Sequence, residues 1–447
     1  MKKKKGKIMP FFKFLAIAMA SITIITLCLF KFIDILPGEY FVVLCILLIL
    51  IDVGLSLLIL TRKGVKRRAV GSVLSIIYII FLILAIIYEL NTIGFLKKIG
   101  FTDYKTENYS VLVLKDSDYE KIEDLDGESI GSLEFNTDGL EKAKAKIEKE
   151  ITPEFITTDN ITTLKDDFLA EEYAGMLIED SMLSMVNESD GEFSESYRVI
   201  YEFSVDVETE DIAEEVNITE ESFNIFISGI DTYGSISSVA RSDVNMVITV
   251  NPNTHKILIT SIPRDYYVTL AGKNAKDKLT HAGIYGIETS VGTIENLLDI
   301  KINYYIKVNF TSLLDIVEAL GGVNVYSEYS FTSKDGYYYQ KGYNNVDGKK
   351  ALSFVRERGA FTEGDRVRVK NQAAMIEALI NKAISPSIIV KYTSLLNALD
   401  GSFVTNIPTK DITDFIKNQI DEMPEWEFEN ISLDGSNGYD YTYSYGG

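Results

Sequence analysis

The sequence predicts an α/β protein: an α-β-α layered domain with a mixed central sheet, preceded by three transmembrane helices and a small α/β accessory domain. Three observations carry this reading. Three apolar stretches open the chain, at roughly 10–30, 39–60 and 69–88. Beyond them, short strand-like runs alternate with amphipathic helical segments. An acidic linker at 208–221 divides that second part in two. The expected segmentation is a membrane anchor over 1–95, the accessory domain over 103–207, the larger domain over 222–435 and a disordered tail over 436–447.

Each apolar stretch approaches the ~20 residues a helix needs to cross a bilayer. A signal peptide would give one shorter stretch with a small-residue cleavage site, not three in series. Lys2, Lys3, Lys4, Lys5 and Lys7 precede the first stretch, and Arg62, Lys63, Lys66, Arg67 and Arg68 lie between the second and third. The positive-inside rule places both clusters in the cytoplasm, so three crossings leave everything after about Asn91 outside the cell. Residues 1–68 hold 12 Lys and Arg against 3 Asp and Glu, and with -21 on the whole chain residues 69–447 carry -30. Such a domain repels nucleic acid over most of its surface, and any anion it binds must be held by a local site. The chain has 2 cysteines, Cys28 and Cys45, both inside predicted spans. The exported part therefore folds without disulfides, as suits a Gram-positive type envelope.

In the accessory region, strand-like runs at 109–114, 172–178 and 197–205 alternate with helical ones at 140–149 and 163–169. Leu125-Asp126-Gly127-Glu128-Ser129-Ile130-Gly131 resembles part of a periplasmic-binding-protein-like half domain. No catalytic constellation stands out there, which leaves an accessory or spacer role.

The larger domain opens with a buried-strand run, Phe223 to Ile230, ending at Asp231. Two further strands, 244–250 and 256–260, are joined by Asn251-Pro252-Asn253-Thr254, a strong turn signal. Asp243 and Arg264 are almost equally far from this turn, so an antiparallel pairing brings them to one end of the sheet. If the strand ending at Asp231 runs parallel to the second hairpin strand, one sheet edge holds Asp231, Arg241, Asp243 and Arg264. Amphipathic helices are expected at 289–298 and 312–320, the second capped by Thr311 and stopped by Gly321-Gly322, with a strand at 303–308 between them. A short helix from Asp347 leads into Arg356-Glu357-Arg358, read as extended chain with both arginines on one face. A long helix follows over 371–384. If it begins by Arg368, then Arg368 and Gln372, four apart, share a face. Arg356, Arg358, Arg366, Arg368 and Lys370 crowd cations into an otherwise acidic protein. Guanidinium groups at such spacing suit multidentate binding of phosphate or pyrophosphate.

Several ordered blocks resemble the LytR-CpsA-Psr family of Gram-positive cell-envelope proteins. They are Gly229-Ile230-Asp231; Arg241-Ser242-Asp243; Ser261-Ile262-Pro263-Arg264-Asp265; Lys278 with His281-Ala282; Gly321-Gly322-Val323; and Arg356-Glu357-Arg358 with Gly364-Asp365, Arg368 and Asn371-Gln372. The resemblance covers 222–390 and extends to about 435. The three-span anchor with an extra domain looks like the capsule-associated CpsA branch. The resemblance implies a phosphotransferase moving a glycopolymer, of capsular polysaccharide or teichoic-acid type, from a polyprenyl-pyrophosphate carrier onto peptidoglycan. It implies that Arg264, Arg356, Arg358, Arg368 and Gln372 hold the pyrophosphate, that Asp231 and Asp243 hold Mg2+, and that Arg241 supports that edge. Parts of the family carry an Arg-Gln pair where this chain has Asn371-Gln372, which removes Asn371 from the phosphate ligands. Asp243 is the expected proton acceptor for the attacking sugar hydroxyl.

A polyprenyl chain also needs an apolar tunnel. Candidates are Ile284, Ile287, Val291, Ile294, Leu297 and Leu298, and Leu313, Leu314, Ile316, Val317 and Leu320. For any single one of these an ordinary core position is the competing reading. His255 and His281 show no spacing for a Ser-His-Asp triad or a metal-binding histidine cluster. Two other functions stay open: a hydrolase of the lipid-linked pyrophosphate, and a non-enzymatic envelope regulator or sensor.

Overall fold

The structure, a computed structural model, describes residues 10–61, 64–98, 104–134, 137–209, 211–230, 240–385 and 401–445. Three helices, α1 (Pro10–Ile33), α2 (Gly38–Leu60) and α3 (Val65–Lys98), are long and apolar enough to cross a membrane. The Tyr78 hydroxyl on α3 lies 3.2 Å from the Thr23 hydroxyl on α1 and donates to the Leu48 carbonyl on α2 at 3.2 Å. One polar group thus ties the three helices where lipid offers no alternative partner. The third helix does not stop at Tyr88, as the apolar pattern suggested, but continues to Lys98. Neither Glu89 nor Asn91 breaks a helix, and Gly94 costs only about 1 kcal/mol there.

The accessory domain is a five-stranded mixed sheet in the order β3-β2-β4-β1-β5, with β1 (Tyr104–Leu114), β2 (Ser129–Leu133), β3 (Glu154–Thr158), β4 (Gly175–Glu179) and β5 (Tyr197–Glu208). The helices α4 (Asp138–Ile147), α5 (Ile161–Leu169) and α6 (Asp180–Ser189) cover its two faces. Thr137 and Asn160 start the first two as side-chain caps, accepting from the Leu140 and Thr163 amides.

The larger domain is built on a six-stranded sheet. Along the chain its strands are β6 (Phe223–Ile230), β7 (Ser242–Asn251), β8 (Lys256–Ile262), β9 (Tyr304–Asn309), β10 (Phe403–Thr405) and β11 (Glu427–Ser432), in the spatial order β10-β9-β6-β7-β8-β11. It is mixed: β9 is parallel to β6 and β11 to β8, whereas β7 is antiparallel to both its neighbours. Strand alternation sends Phe223, Ile227, Met246, Ile248, Ile257 and Ile259 to one face, and Phe226, Val247 and Ile262 to the other. Helix α7 (Ile287–Leu298) covers the second face through Val291 and Ile294. The first face is covered by α10 (Gly364–Ala383) through Ala373, Ile376 and Ile380, and by α11 (Thr409–Glu422) through Phe415. These three layers are the predicted α-β-α arrangement. Beside α10 stand α8 (Phe310–Leu320) and α9 (Gly348–Arg356), which share with it a further core. Asn309, not Thr311, caps α8: its side chain accepts from the Ser312 amide at 2.9 Å. Gly321 and Gly322 stop that helix at φ 70° and 88°, a backbone that side chains with a Cβ rarely adopt.

Of the tail expected to be disordered over 436–447, residues 442–445 are packed and 436–441 are exposed. Ser444 is buried and donates its amide to Asp277 Oδ2 at 2.7 Å, and the Tyr443 amide donates to the Lys276 carbonyl at 3.0 Å. Asp277 is itself fully buried, with His281 Nδ1 2.6 Å from its other oxygen. Burial pushes the Asp277 carboxyl up, but His281 and Ser444 together hold it below the usual carboxylate range. A carboxylate depressed on folding stabilises above its unfolded value, near 3.9, and loses that contribution as pH falls through the folded value. Docking of the tail is therefore expected to be complete above about pH 4 and to weaken below it. The Ser444 amide proton shift, followed from neutral pH to pH 3, would check this; a shift that stays flat would refute it.

Candidate functional site

The site grows from one irregularity in the sheet. Gly229 pairs with Val244 and Ile230 with Ser242, which leaves Asp243 as the extra residue of a β-bulge. A bulge bends its strand and re-aims a side chain. This one is fastened by the Ser242 hydroxyl, 2.8 Å from that of Ser228, and by the Asn245 amide donating to the Ser242 carbonyl at 2.9 Å. Asp243 thereby reaches the sheet edge, where Arg264, two residues beyond β8, donates to its Oδ1 at 2.9 Å and Thr280 donates at 3.1 Å. The hairpin geometry predicted this meeting. The strand ending at Ile230 runs parallel to β8, as expected, and Ile230 lines the same cavity as Asp243. Asp231 itself lies outside the described residues.

The cavity has a volume of about 270 Å³ and lies between β6, β7, β9, α8, α9 and α10. Asp243, Arg356, Arg358, Arg368 and Gln372 form its polar end. Leu313, Ile316, Val355, Met375, Ile376 and Leu379 are among the groups that make the remainder apolar. Leu313 and Ile316 were among the tunnel candidates. Val291 and Ile294 are not part of this cavity: α7 packs on the opposite face of the sheet, where they fill the core. Val317 and Leu320 are core residues of the cluster beside α10.

Arg356 is not on extended chain. It is the last residue of α9, and its guanidinium sits over the Phe310 ring at 4.4 Å. The chain becomes extended at Glu357 and carries Arg358 back toward the start of α10. The approach is close there: a Cβ on Gly364 would lie 3.1 Å from the Arg358 carbonyl oxygen, a tight contact. Helix α10 begins before Arg368, so Arg368 and Gln372 do share a face. Asp365 brackets two of the arginines, at 2.6 Å from Arg368 and 3.7 Å from Arg358. Arg366 and Lys370 turn away to Asp434 and Glu328, at 2.7 and 2.8 Å. Asn371 is spent on packing, its amide donating to the Phe354 carbonyl at 3.3 Å.

Arginines predominate along the cavity lining, and Asp365 pairs with Arg358 and Arg368. Three arginines line the cavity against one carboxylate, Asp243, among the described residues. Burial, with Arg358 and Arg264 close by, pushes the Arg368 guanidinium below its ordinary value in spite of Asp365. Burial acts the same way on Arg264, but Asp243 and Asp265 outweigh it and raise that group. The buried Nε atoms of Arg264 and Arg368 have no hydrogen-bond partner among the described residues. Guanidinium groups gathered on one cavity suit multidentate binding of a phosphate or pyrophosphate.

Arg241 faces elsewhere. It pairs with Glu188 at the end of α6 in the accessory domain, in a second pocket of about 260 Å³ that also contains Arg264, Lys278 and His281. The Asp243–Arg264 pair thus lies between an apolar cavity on one side and a polar pocket on the other.

A family model matches residues 193–446. The chain belongs to the LytR_cpsA_psr family. It is 36% identical over 241 residues to the polyisoprenyl-teichoic acid--peptidoglycan teichoic acid transferase TagU of Bacillus anthracis, covering 54% of this chain and 78% of that one. The protein of the same name from Bacillus licheniformis is 36% identical over 193 residues, 43% of this chain and 62% of the other. Among solved structures, B. subtilis TagU aligns with TM-score 0.40 at 32% identity over 48% of this chain and 86% of its own. B. subtilis TagV gives 0.42 at 30% over 49% and 87%. The three apolar helices and most of the accessory domain precede the LytR_cpsA_psr match; β5 falls within it by sequence, although it completes the accessory sheet.

Four supporting residues were not legible as such in the LytR_cpsA_psr blocks. Phe310 carries the Arg356 guanidinium, Asp365 brackets Arg358 and Arg368, and Thr280 fixes Asp243. Glu357 was expected only to point away from its flanking arginines. It is buried, and its carboxylate accepts from the Lys334 amide at 2.6 Å and the Ala360 amide at 2.9 Å. The signal was an acid between two arginines that pairs with neither. Glu357→Ala leaves two backbone donors unpaired and is expected to cost about 2–4 kcal/mol, at 1–3 kcal/mol per stranded group with partial relaxation. Thermal unfolding would measure it, and an unchanged Tm would show that the loop holds itself.

Proposed function

We propose that this chain transfers a polyprenyl-pyrophosphate-linked glycopolymer, of teichoic-acid or capsular type, onto peptidoglycan at the outer surface of a Gram-positive type membrane. The observation that carries this is the cavity itself: an arginine-lined mouth on an apolar interior, in a chain with three membrane-spanning helices. A free nucleotide or sugar phosphate would need the arginines but not the apolar depth. A lipid without phosphate would need the reverse. The curated relatives' names point to the same pair of substrates, a polyisoprenyl-linked teichoic acid and peptidoglycan.

In this reading Arg264, Arg356, Arg358, Arg368 and Gln372 hold the pyrophosphate, and the polyprenyl chain enters between α8 and α10. A hydroxyl oxygen of peptidoglycan attacks the phosphorus that carries the polymer. A new O–P bond forms, the bond from that phosphorus to the bridging oxygen breaks, and polyprenyl phosphate leaves. The arginines neutralise the charge that builds on that leaving group; positioning and charge stabilisation are most of what phosphoryl transfer requires. Asp243, fixed by its bulge and by Thr280, takes the hydroxyl proton. Arg241 and Lys278 line the pocket from which the acceptor approaches.

Mg2+ is a proposed cofactor. Among the described residues no group of three metal-binding side chains occurs. Mg2+ is a hard cation that takes one or two protein carboxylates and completes its shell with water and phosphate. Asp243 at the arginine mouth, with Asp231, would hold it. When bound it would supply further neutralisation of the pyrophosphate charge.

The reading is tested with the purified full chain, lipid-linked glycan, Mg2+ and peptidoglycan. Polymer attached to the insoluble wall fraction is expected. Free glycan phosphate would mark a hydrolase, and no turnover under any of these conditions would favour a regulator. In the same assay Asp243→Ala is expected to abolish transfer while lipid binding persists; full transfer in that variant would remove Asp243 from the proton-accepting role.

A further inference from the structure

Residues 436–442 of the C-terminal stretch form one wall of an open groove of about 940 Å³. The opposing wall is Tyr266 and Tyr267, just beyond β8, and the inner end is Asp265 and Lys278. Asp265, Lys278 and Thr442 belong at once to this groove and to the polar pocket beside Arg264. The groove therefore leads directly to the Asp243–Arg264 pair, from the side opposite the apolar cavity.

The C-terminal wall is tied at its two ends. The Tyr267 hydroxyl donates to the Tyr441 carbonyl at 2.7 Å, and the Tyr266 hydroxyl to the Asp434 carbonyl at 2.5 Å. The anchor beyond them is the buried Ser444–Asp277 contact. Tyr439 is fully exposed and Tyr441 is 75% exposed. A tyrosine offers an apolar ring face with a polar tip, which matches a sugar's C–H face and hydroxyl rim. Charge narrows the ligand further. Asp265 and Asp440 oppose Lys278 along the lining, so the groove has no net positive charge to attract a phosphate-rich polymer.

We propose that this groove seats the acceptor: the polyhydroxylated sugar backbone of a glycan strand lies against Tyr439 and Tyr441 and presents its hydroxyl past Lys278 to Asp243. This rests on the transferase reading for the identity of the strand, but not for the presence of a glycan site.

The test is Tyr439→Ala with Tyr441→Ala in the full chain in detergent micelles; both rings are exposed, so folding is preserved. The probe is a soluble, uncross-linked peptidoglycan glycan strand, used first as acceptor and then alone in a binding titration. The acceptor KM is expected to rise roughly tenfold, with kcat and the KM for the lipid-linked substrate unchanged, and strand binding to weaken by a similar factor. An unchanged acceptor KM together with unchanged strand binding overturns the groove while leaving the transferase reading intact. If the unmodified chain transfers nothing, the transferase reading fails. The binding titration then decides the groove alone: loss of binding in the double variant supports it, and equal binding overturns it.

Discussion

Removing both arginines of the Arg356-Glu357-Arg358 block is expected to lower the transfer rate by at least about 10³-fold, since a single charge-stabilising donor in such a site is worth about 10²–10³. The two act from different supports. Arg356 ends α9 and lies on the Phe310 ring, whereas Arg358 sits on extended chain against Asp365. Both line the cavity. Arg358→Lys is also informative. Lysine keeps the charge but offers a point donor where guanidinium presents a planar fork, so a loss approaching that of Arg358→Ala would show that bidentate geometry matters. Lipid-linked substrate should still enter the apolar cavity in each variant, only more weakly. Rates within threefold of the unmodified chain in the double variant would remove the arginines from the chemistry.

The second large effect concerns the apolar end. Ile316 on α8 faces Met375, Ile376 and Leu379 of α10 across the cavity, and space is already present there. Ile316→Trp fills that space with an apolar ring and strands no polar group, so the fold is expected to hold. Binding of a long polyprenyl pyrophosphate should weaken by about 100-fold or more, the equivalent of about 3 kcal/mol of lost apolar burial. A substrate with a short, water-soluble prenyl chain should keep its turnover within a few-fold, because the arginine mouth is untouched. Equal loss for long and short chains would mean that the cavity is structural and the lipid lies elsewhere.

Local rules made parts of this architecture readable in the sequence. The turn Asn251-Pro252-Asn253-Thr254 sits midway between Asp243 and Arg264, and antiparallel pairing converts that symmetry into a contact. The spacing of Arg368 and Gln372 needed only a helix that starts early enough. What was not readable depended on longer-range or subtler geometry. The Arg356-Glu357-Arg358 stretch has a period that suits a strand, but α9 already runs through Phe354 and Val355, whose burial in the core beside α10 carries the helix on to Arg356. Helical periodicity shows that α7 and α8 each have an apolar face; it does not say which side of a sheet that face meets. The bulge at Asp243 leaves no mark in composition. The tail, rich in Gly, Ser and Tyr, reads as disordered because its anchor, Asp277, lies 167 residues away from Ser444.

The central claim is that the arginine mouth and apolar cavity together direct a phosphoryl group from a lipid carrier to a wall sugar. Its most direct test follows that phosphorus. A lipid-linked glycan labelled at the phosphate next to the sugar is incubated with the full chain, Mg2+ and peptidoglycan, and the label is traced. Label is expected in the insoluble peptidoglycan, with one polyprenyl phosphate released for each label transferred. Label left in solution as glycan phosphate, or still on the lipid, would contradict it.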